Sequence, residues 1–250
     1  SCNLSKKPDD KKAALENGIR RKVKFLQESE SYSSISDKMV EYKIPALSLA
    51  LINQGKIEWA DIYQNANFNE QQDLDSTNIF QAASLSKPVT FLAALRMHSS
   101  RKIDLDKNIQ DYLRDFVLPQ GNQTVENPVT FRNIFSHTSG ITPGGYQGYS
   151  RNVSMPSDFD ILMGNEGGNT PAIEVITPPN KMLAYSGGGY TLAELALQDI
   201  FNDKFSNIMK KWILEPAGMT LSEFTQPLLA SDSMRVAKGY TYSGEVVEGG

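Results

Sequence analysis

The chain has 250 residues, 40% of them apolar and 22% charged, with a formal net charge of −4. Such a composition describes a globular protein of one large domain or two closely joined ones, and an acidic balance without a basic stripe argues against a nucleic-acid-binding surface. No run of about 18 apolar residues is present, so the sequence holds no membrane span. The one cysteine, Cys2, allows no internal disulfide, and the two histidines, His98 and His137, are too far apart to suggest a structural zinc site.

Residues 1–12 are polar and charged, and they predict a disordered tether. A cysteine at position 2 ahead of such a tether resembles a processed bacterial lipoprotein, which makes Cys2 a candidate lipid anchor. Leu15, Ile19, Val23 and Leu26 then recur at helical spacing. They predict a helix over 11–42, either continuous or joined at Ser31–Ser34, that stops before Ile44-Pro45. Ala46–Ile52 and Lys56–Tyr63 read as two strands around the turn Asn53-Gln54-Gly55, a β-hairpin. Residues 65–78 are loop-like, and Ile79-Phe80-Gln81 is extended.

A long apolar helix follows Ser84, with Leu85, Val89, Leu92 and Leu95 on one face and Pro88 in its first turn. Short helices are predicted at 109–113 and at 129–135, the latter with Thr130 as N-cap. Residues 142–170 are rich in Gly, Ser, Asn and Pro and predict a long functional loop. Tyr190–Phe201 reads as an amphipathic helix, Phe205–Leu214 as another closed by Pro216 and Gly218, and Lys238–Tyr242 as a strand.

The chemistry concentrates at Ser84-Leu85-Ser86-Lys87. Residues i and i+3 share one helix face, so the Ser84 hydroxyl and the Lys87 amine are able to meet. A serine hydroxyl becomes a useful nucleophile when a neighbour takes its proton, and a helix start offers unpaired N–H groups to a developing oxyanion. A Ser-x-x-Lys match is weak alone, and a second one, Ser99-Ser100-Arg101-Lys102, is read as a solvated helix end.

Four stretches then fall in a telling order: Ile79-Phe-Gln-Ala-Ala-Ser84-Leu-Ser-Lys87-Pro88, Phe135-Ser-His-Thr-Ser-Gly140, Tyr185-Ser-Gly-Gly-Gly-Tyr190 and Ile213-Leu-Glu-Pro216-Ala-Gly-Met219. Together they resemble the penicillin-recognising serine hydrolases, on the branch of class C β-lactamases, D-Ala-D-Ala carboxypeptidases and esterases, over about residues 38–242. The resemblance implies an α/β fold with an inserted all-helical region, and no metal or cofactor. It implies Ser84 as acylated nucleophile, Lys87 as the cation or base beside it, and Tyr185 as general base and later acid. By the same resemblance His137 belongs to a stretch that supports the helical region. Tyr63-Gln64-Asn65 and Ser231-Asp232-Ser233 look like related motifs but lie at the wrong places in the order.

The sequence departs from the family in two respects. Gly187 stands where the family usually carries asparagine, a substrate-facing position, and lacks the amide that would orient β-lactams and peptides; ester hydrolysis gains by comparison. No Lys- or His-x-Gly follows Tyr185, so the resemblance implies an incomplete sheet and a chain that is the first two-thirds of a longer protein. The organisation expected is a tether at 1–12, an α/β part at 13–83 and 220–250, and a mainly helical region at 84–219. The function expected is an acyl-serine hydrolase of a β-lactam, D-Ala peptide or ester, meeting a small-molecule or peptidoglycan-like substrate in the periplasm or cell envelope. The alternatives are a non-catalytic binding or scaffold protein on the same fold, or an inactive fragment.

Overall fold

The structure is a computed structural model that describes residues 8–20, 32–68, 74–149, 153–165, 167–228 and 231–247. Cys2, Val23 and Leu26 lie outside the described residues. The chain divides into two units, one built from residues up to 81 together with 231–248, the other from 82–230.

In the first unit the helical stretch predicted at 11–42, continuous or joined at 31–34, is two helices separated by a pair of short strands. Helix α1 (Pro8–Glu16) gives way to strand β1 (Ile19–Arg20), which pairs antiparallel with β2 (Tyr32–Ser33) before α2 (Ile35–Glu41) begins. The break comes at Gly18, where a Cβ would sit 2.3 Å from the Ala14 carbonyl oxygen. The apolar spacing that runs through Leu15 and Ile19 therefore crosses a real boundary. Ser34 starts α2 with a reciprocal capping box: its hydroxyl accepts from the Asp37 N–H, and the Asp37 carboxylate accepts from the Ser34 N–H. Residues 8–12, assigned to the tether, are helical because Lys11 and Lys12 meet Glu58 and Asp61 on a strand.

That strand is β4 (Lys56–Gln64), paired antiparallel with β3 (Ala46–Asn53) from Ala46↔Gln64 to Asn53↔Lys56 with an irregularity at Leu51/Ile52. The hairpin is as predicted. Its turn residues Gln54 and Gly55 both take positive φ (50° and 73°), the type I′ geometry that matches strand twist. Among the described residues the sheets are only two-stranded. No residue of β3 or β4 is fully buried, and Ile52 and Ile57 are 66% and 67% exposed. This is the incomplete sheet expected from the sequence. The predicted strand at 238–242 is reduced to single bridges, Tyr240↔Val246 and, nearby, Ile79↔Val236.

The second unit holds the main core. It is assembled from α3 (Ser86–Ser99), α4 (Phe131–Phe135), α5 (Asp158–Met163), α6 (Gly187–Phe201) and α7 (Phe205–Met209), the last continuing as one wider turn through Leu214. Helix α6 is central: Leu192, Ala193, Ala196 and Leu197 are fully buried against α4, α5 and α7. Helix α4 begins at Thr130 as predicted, in a capping box with Asn133, and stacks Phe131 on Phe135 with ring centroids 5.7 Å apart. Burying a side chain such as Phe131 stabilises by about 2–3 kcal/mol.

Three predictions are corrected in this unit. The buried face of α3 is Thr90, Ala93, Ala94 and Met97; of the four residues predicted, Val89 and Leu95 pack against the core, whereas Leu85 and Leu92 are 72% and 51% exposed. Small side chains let α3 approach its neighbours closely, an advantage that apolar spacing does not register. The loop predicted at 142–170 contains α5, started by Ser157, whose hydroxyl accepts from the Asp160 N–H. And α6 begins three residues early, at the glycines. Gly188 packs so closely on the preceding loop that a Cβ would lie 2.1 Å from the Thr142 carbonyl oxygen. Gly188→Ala is expected to lower stability by about 1–3 kcal/mol, read as a reduced urea midpoint, since overpacking against backbone outweighs the roughly 1 kcal/mol helix preference of alanine.

Helix α5 buries Leu162 in the core that α6 lines and also brings a carboxylate against that helix. Gln198 donates to Asp158 at 2.6 Å, and burial, reinforced by the Asp158 charge, pushes Glu194 up to about 8. Between its unfolded value of 4.5 and about 8, the folded protein keeps the Glu194 proton that the unfolded chain gives up. The associated stability is therefore complete below the unfolded value and declines as pH rises toward the folded one. Urea midpoints measured at pH 5 and pH 9 are expected to differ more for this protein than for Glu194→Gln.

Candidate active site

Ser84 sits in a tight turn, Ala83–Leu85, that runs directly into α3. Ala83 takes a left-handed conformation, φ 45°, an uncommon one for a residue with a side chain. The turn holds Ser84 exposed at the head of the helix, one turn before the half-buried Lys87. Lys87 Nζ donates to Ser84 Oγ at 3.3 Å.

Tyr185 arrives from 101 residues further along. It lies just before α6, whose N-cap is Ser186; the Ser186 hydroxyl accepts from the Gly189 N–H at 2.8 Å. The Tyr185 hydroxyl donates to Ser84 Oγ at 2.8 Å. Lys87 Nζ lies 4.9 Å from the Tyr185 ring centroid and 5.5 Å from that of Tyr190, a cation held between two π faces.

The two tyrosines differ electrostatically. Hydrogen bonding to Lys87, then to Ser84, together with the Lys87 charge, pulls Tyr185 below the usual phenol range. Burial, with Tyr185 nearby, pushes Tyr190 up to about 12. Tyr185 is thus the phenol nearer to ionising, and it is the one on the serine.

His137 completes the arrangement. Its ring lies against Tyr185 with centroids 4.4 Å apart and an interplanar angle of 33°. Its Nδ1 accepts from the Ser186 N–H at 3.1 Å, and its carbonyl accepts from the Ala184 N–H at 2.8 Å. Burial and the Lys87 charge hold the imidazole below its usual range. The sequence singled out the stretch around His137 but carried no sign of this contact, which joins residues 48 positions apart. Phe135 and Tyr190 were likewise missed; with Leu85 and Phe91 they form the apolar wall of an open cleft of about 590 Å³ that holds Ser84, Lys87, His137 and Tyr185.

Gly187 is not brought to this cleft. It is buried at the start of α6, where a Cβ would stand 3.2 Å from Gly144 O and 3.3 Å from both Gly145 Cα and Tyr146 Cε2. The look-alike motifs are occupied elsewhere. The Tyr63 hydroxyl donates to Glu16 and the buried Asn65 amide to the Met39 carbonyl, while Ser99 Oγ donates to Leu95 O at 2.9 Å. Among the described residues no group of three His, Cys, Asp or Glu is placed to hold a metal, and no helix is long and apolar enough to cross a membrane.

The helical unit thus presents a serine, a lysine and a tyrosine in mutual contact. The chain belongs to the Beta-lactamase family, whose model matches residues 32–248. It is similar to Penicillin-binding protein 4* of Bacillus subtilis, 26% identical over 195 residues that make up 75% of this chain and 40% of that protein. Among solved structures it resembles a β-lactamase/D-alanine carboxypeptidase from Yersinia pestis, with a TM-score of 0.63 and 19% identity over 79% of this chain and 54% of that one. It also resembles an octameric penicillin-binding protein homologue from Pyrococcus abyssi, with a TM-score of 0.62 and 24% identity over 85% and 48%. At such identities the structural likenesses show the fold, and the chain spans about half the length of these relatives.

Proposed function

We propose that the chain carries the acylating centre of a serine hydrolase, with Ser84 as nucleophile, Tyr185 as the base that takes its proton and Lys87 as the cation that makes the phenolate accessible. The observation that carries this reading is the pair of contacts on Ser84 Oγ, from Tyr185 at 2.8 Å and Lys87 at 3.3 Å. In the phenolate form Tyr185 accepts the hydroxyl proton as Oγ bonds to the substrate carbonyl carbon. The same proton then passes to the leaving group as its bond to that carbon breaks. Water attacks the resulting ester in the second half, giving its proton to Tyr185 and releasing the acid as Ser84 recovers a proton.

The substrate is a β-lactam, a D-Ala peptide or an ester of small-molecule or peptidoglycan-like kind, met at the cell envelope. Ester ranks first because Gly187 offers no amide to orient a peptide bond and is buried under the 144–146 loop. The test is covalent labelling of the chain with a fluorescent penicillin, an activated ester and a fluorophosphonate, followed by mapping of the adduct. An adduct on Ser84 supports the proposal; no adduct with any of the three, on this chain and on any longer product of its gene, defeats it. A second reading, a non-catalytic binding protein on this fold, is favoured by the same Gly187. It predicts ligand binding that survives Ser84→Ala.

A further inference from the structure

We propose that His137 is the positioning residue for Tyr185, holding the phenol on Ser84 Oγ by gripping the chain on both sides of that tyrosine, and that only the neutral imidazole does so. The proposal rests on the reading of Tyr185 as the base.

Tyr185 is 49% exposed, and a side chain so placed has alternative rotamers open to it. Three contacts from one residue set its position, two on the neighbouring backbone and one on its ring. The His137 carbonyl takes the N–H of Ala184, its Nδ1 takes the N–H of Ser186, and its ring packs on the Tyr185 ring. Both peptide units next to Tyr185 and its aromatic face are thereby tied to one side chain and its backbone. His137 is itself anchored. Its N–H donates to Ile134 O at the end of α4, and its backbone is left-handed, φ 57°.

The contact to Ser186 fixes the chemistry of the ring. A backbone N–H donates only to a lone pair, so Nδ1 is unprotonated and the neutral ring carries its proton on Nε2. Protonation would set one N–H against another and open the grip. The charged and titratable groups facing the ring are Lys87 from α3, Tyr185 from the segment before α6 and Tyr190 from α6. The lysine works against a second positive charge there. The grip is consequently intact at neutral pH and lost on acidification.

The experiment uses two variants that keep different halves of the device. His137→Asn preserves a residue at ease in the left-handed region and a carbonyl acceptor near the place of Nδ1, without the ring. His137→Phe preserves the ring without the acceptor. Ser84 acylation by a fluorophosphonate is followed against pH, and the Tyr185 phenol is titrated by ultraviolet difference against Tyr185→Phe in each background. Both variants are expected to slow acylation by roughly 10–100-fold, as loss of alignment does. Both should also raise the pH at which Tyr185 ionises and abolish the acid-side inflection expected of the parent, which lies below the ordinary imidazole value of about 6.5. Unchanged rates with an unchanged Tyr185 titration overturn the proposal, as does an inflection that persists in His137→Phe. If the parent is not acylated at all, the reading of the site fails, while the Tyr185 titration still decides the role of His137. Should either variant fail to fold, the nitrogen-15 shifts of His137 in the parent decide: an Nδ1-protonated neutral ring overturns the proposal.

Discussion

Ser84→Ala is expected to abolish covalent labelling, with a loss of at least about 10³-fold by intact-mass measurement, whereas Ser99→Ala labels like the parent. The two serines open identical Ser-x-x-Lys patterns, so the comparison isolates environment from motif. Ser84 is exposed in a strained turn at a helix start, with an ammonium and a phenol on its oxygen. Ser99 lies at the far end of the same helix and returns its hydroxyl to the Leu95 carbonyl. A proton spent on a backbone acceptor leaves no base positioned to take it, and the end of a helix presents carbonyls where an oxyanion needs donors. Equal labelling of the two alanine variants would remove the basis for assigning Ser84.

Tyr185→Phe is the second large effect, a fall of about 10²–10⁴-fold in acylation, the range over which a positioned acid–base group acts. Its pH behaviour is the sharper test. A phenol works as a base once ionised, so the rate should rise with pH through the Tyr185 titration, which Lys87 places below the usual phenol value of about 10. Lys87→Met removes both the hydrogen bond and the charge, and the rise should move to higher pH without disappearing. In Tyr185→Phe it should disappear. A rise that stays in place in Lys87→Met would show that another group titrates.

How much of this was legible in the sequence depends on whether the cause was local. Thr130 and the hairpin at 46–64 were readable because capping and turn chemistry act within a few residues. Ser84 and Lys87 were readable as a helical pair. Tyr185 was found only through resemblance to a family, because nothing in ten tyrosines distinguishes the one that returns to Ser84 across 101 positions. The misplacements have one character. Gly18 ends a helix that apolar spacing would continue, and Gly187–Gly189 start a helix that glycine propensity would forbid. At Gly18 and Gly188 the deciding contact is a backbone oxygen, 2.3 and 2.1 Å from where a Cβ would be, closer than any Cβ tolerates. The core face of α3 was half misassigned for a related reason: Val89 and Leu95 do reach the core, but alanines bring backbones together while exposed Leu85 and Leu92 advertise burial.

The same glycines bear on how the segment before α6 tolerates change. The segment from Thr142 to Gly145 is fastened to the start of α6 by main-chain atoms: the Gly187 and Gly188 amides donate to Pro143 O, each at 3.0 Å, and the glycines leave room for the contact. A fastening made of peptide groups is indifferent to the side chains that follow it. Exposed residues beyond, such as Gln147, Val153 and Met155, are therefore free to vary without disturbing the tyrosine held two residues before Gly187. The scaffold separates the backbone that fixes the approach to Tyr185 from side chains that selection is able to rewrite.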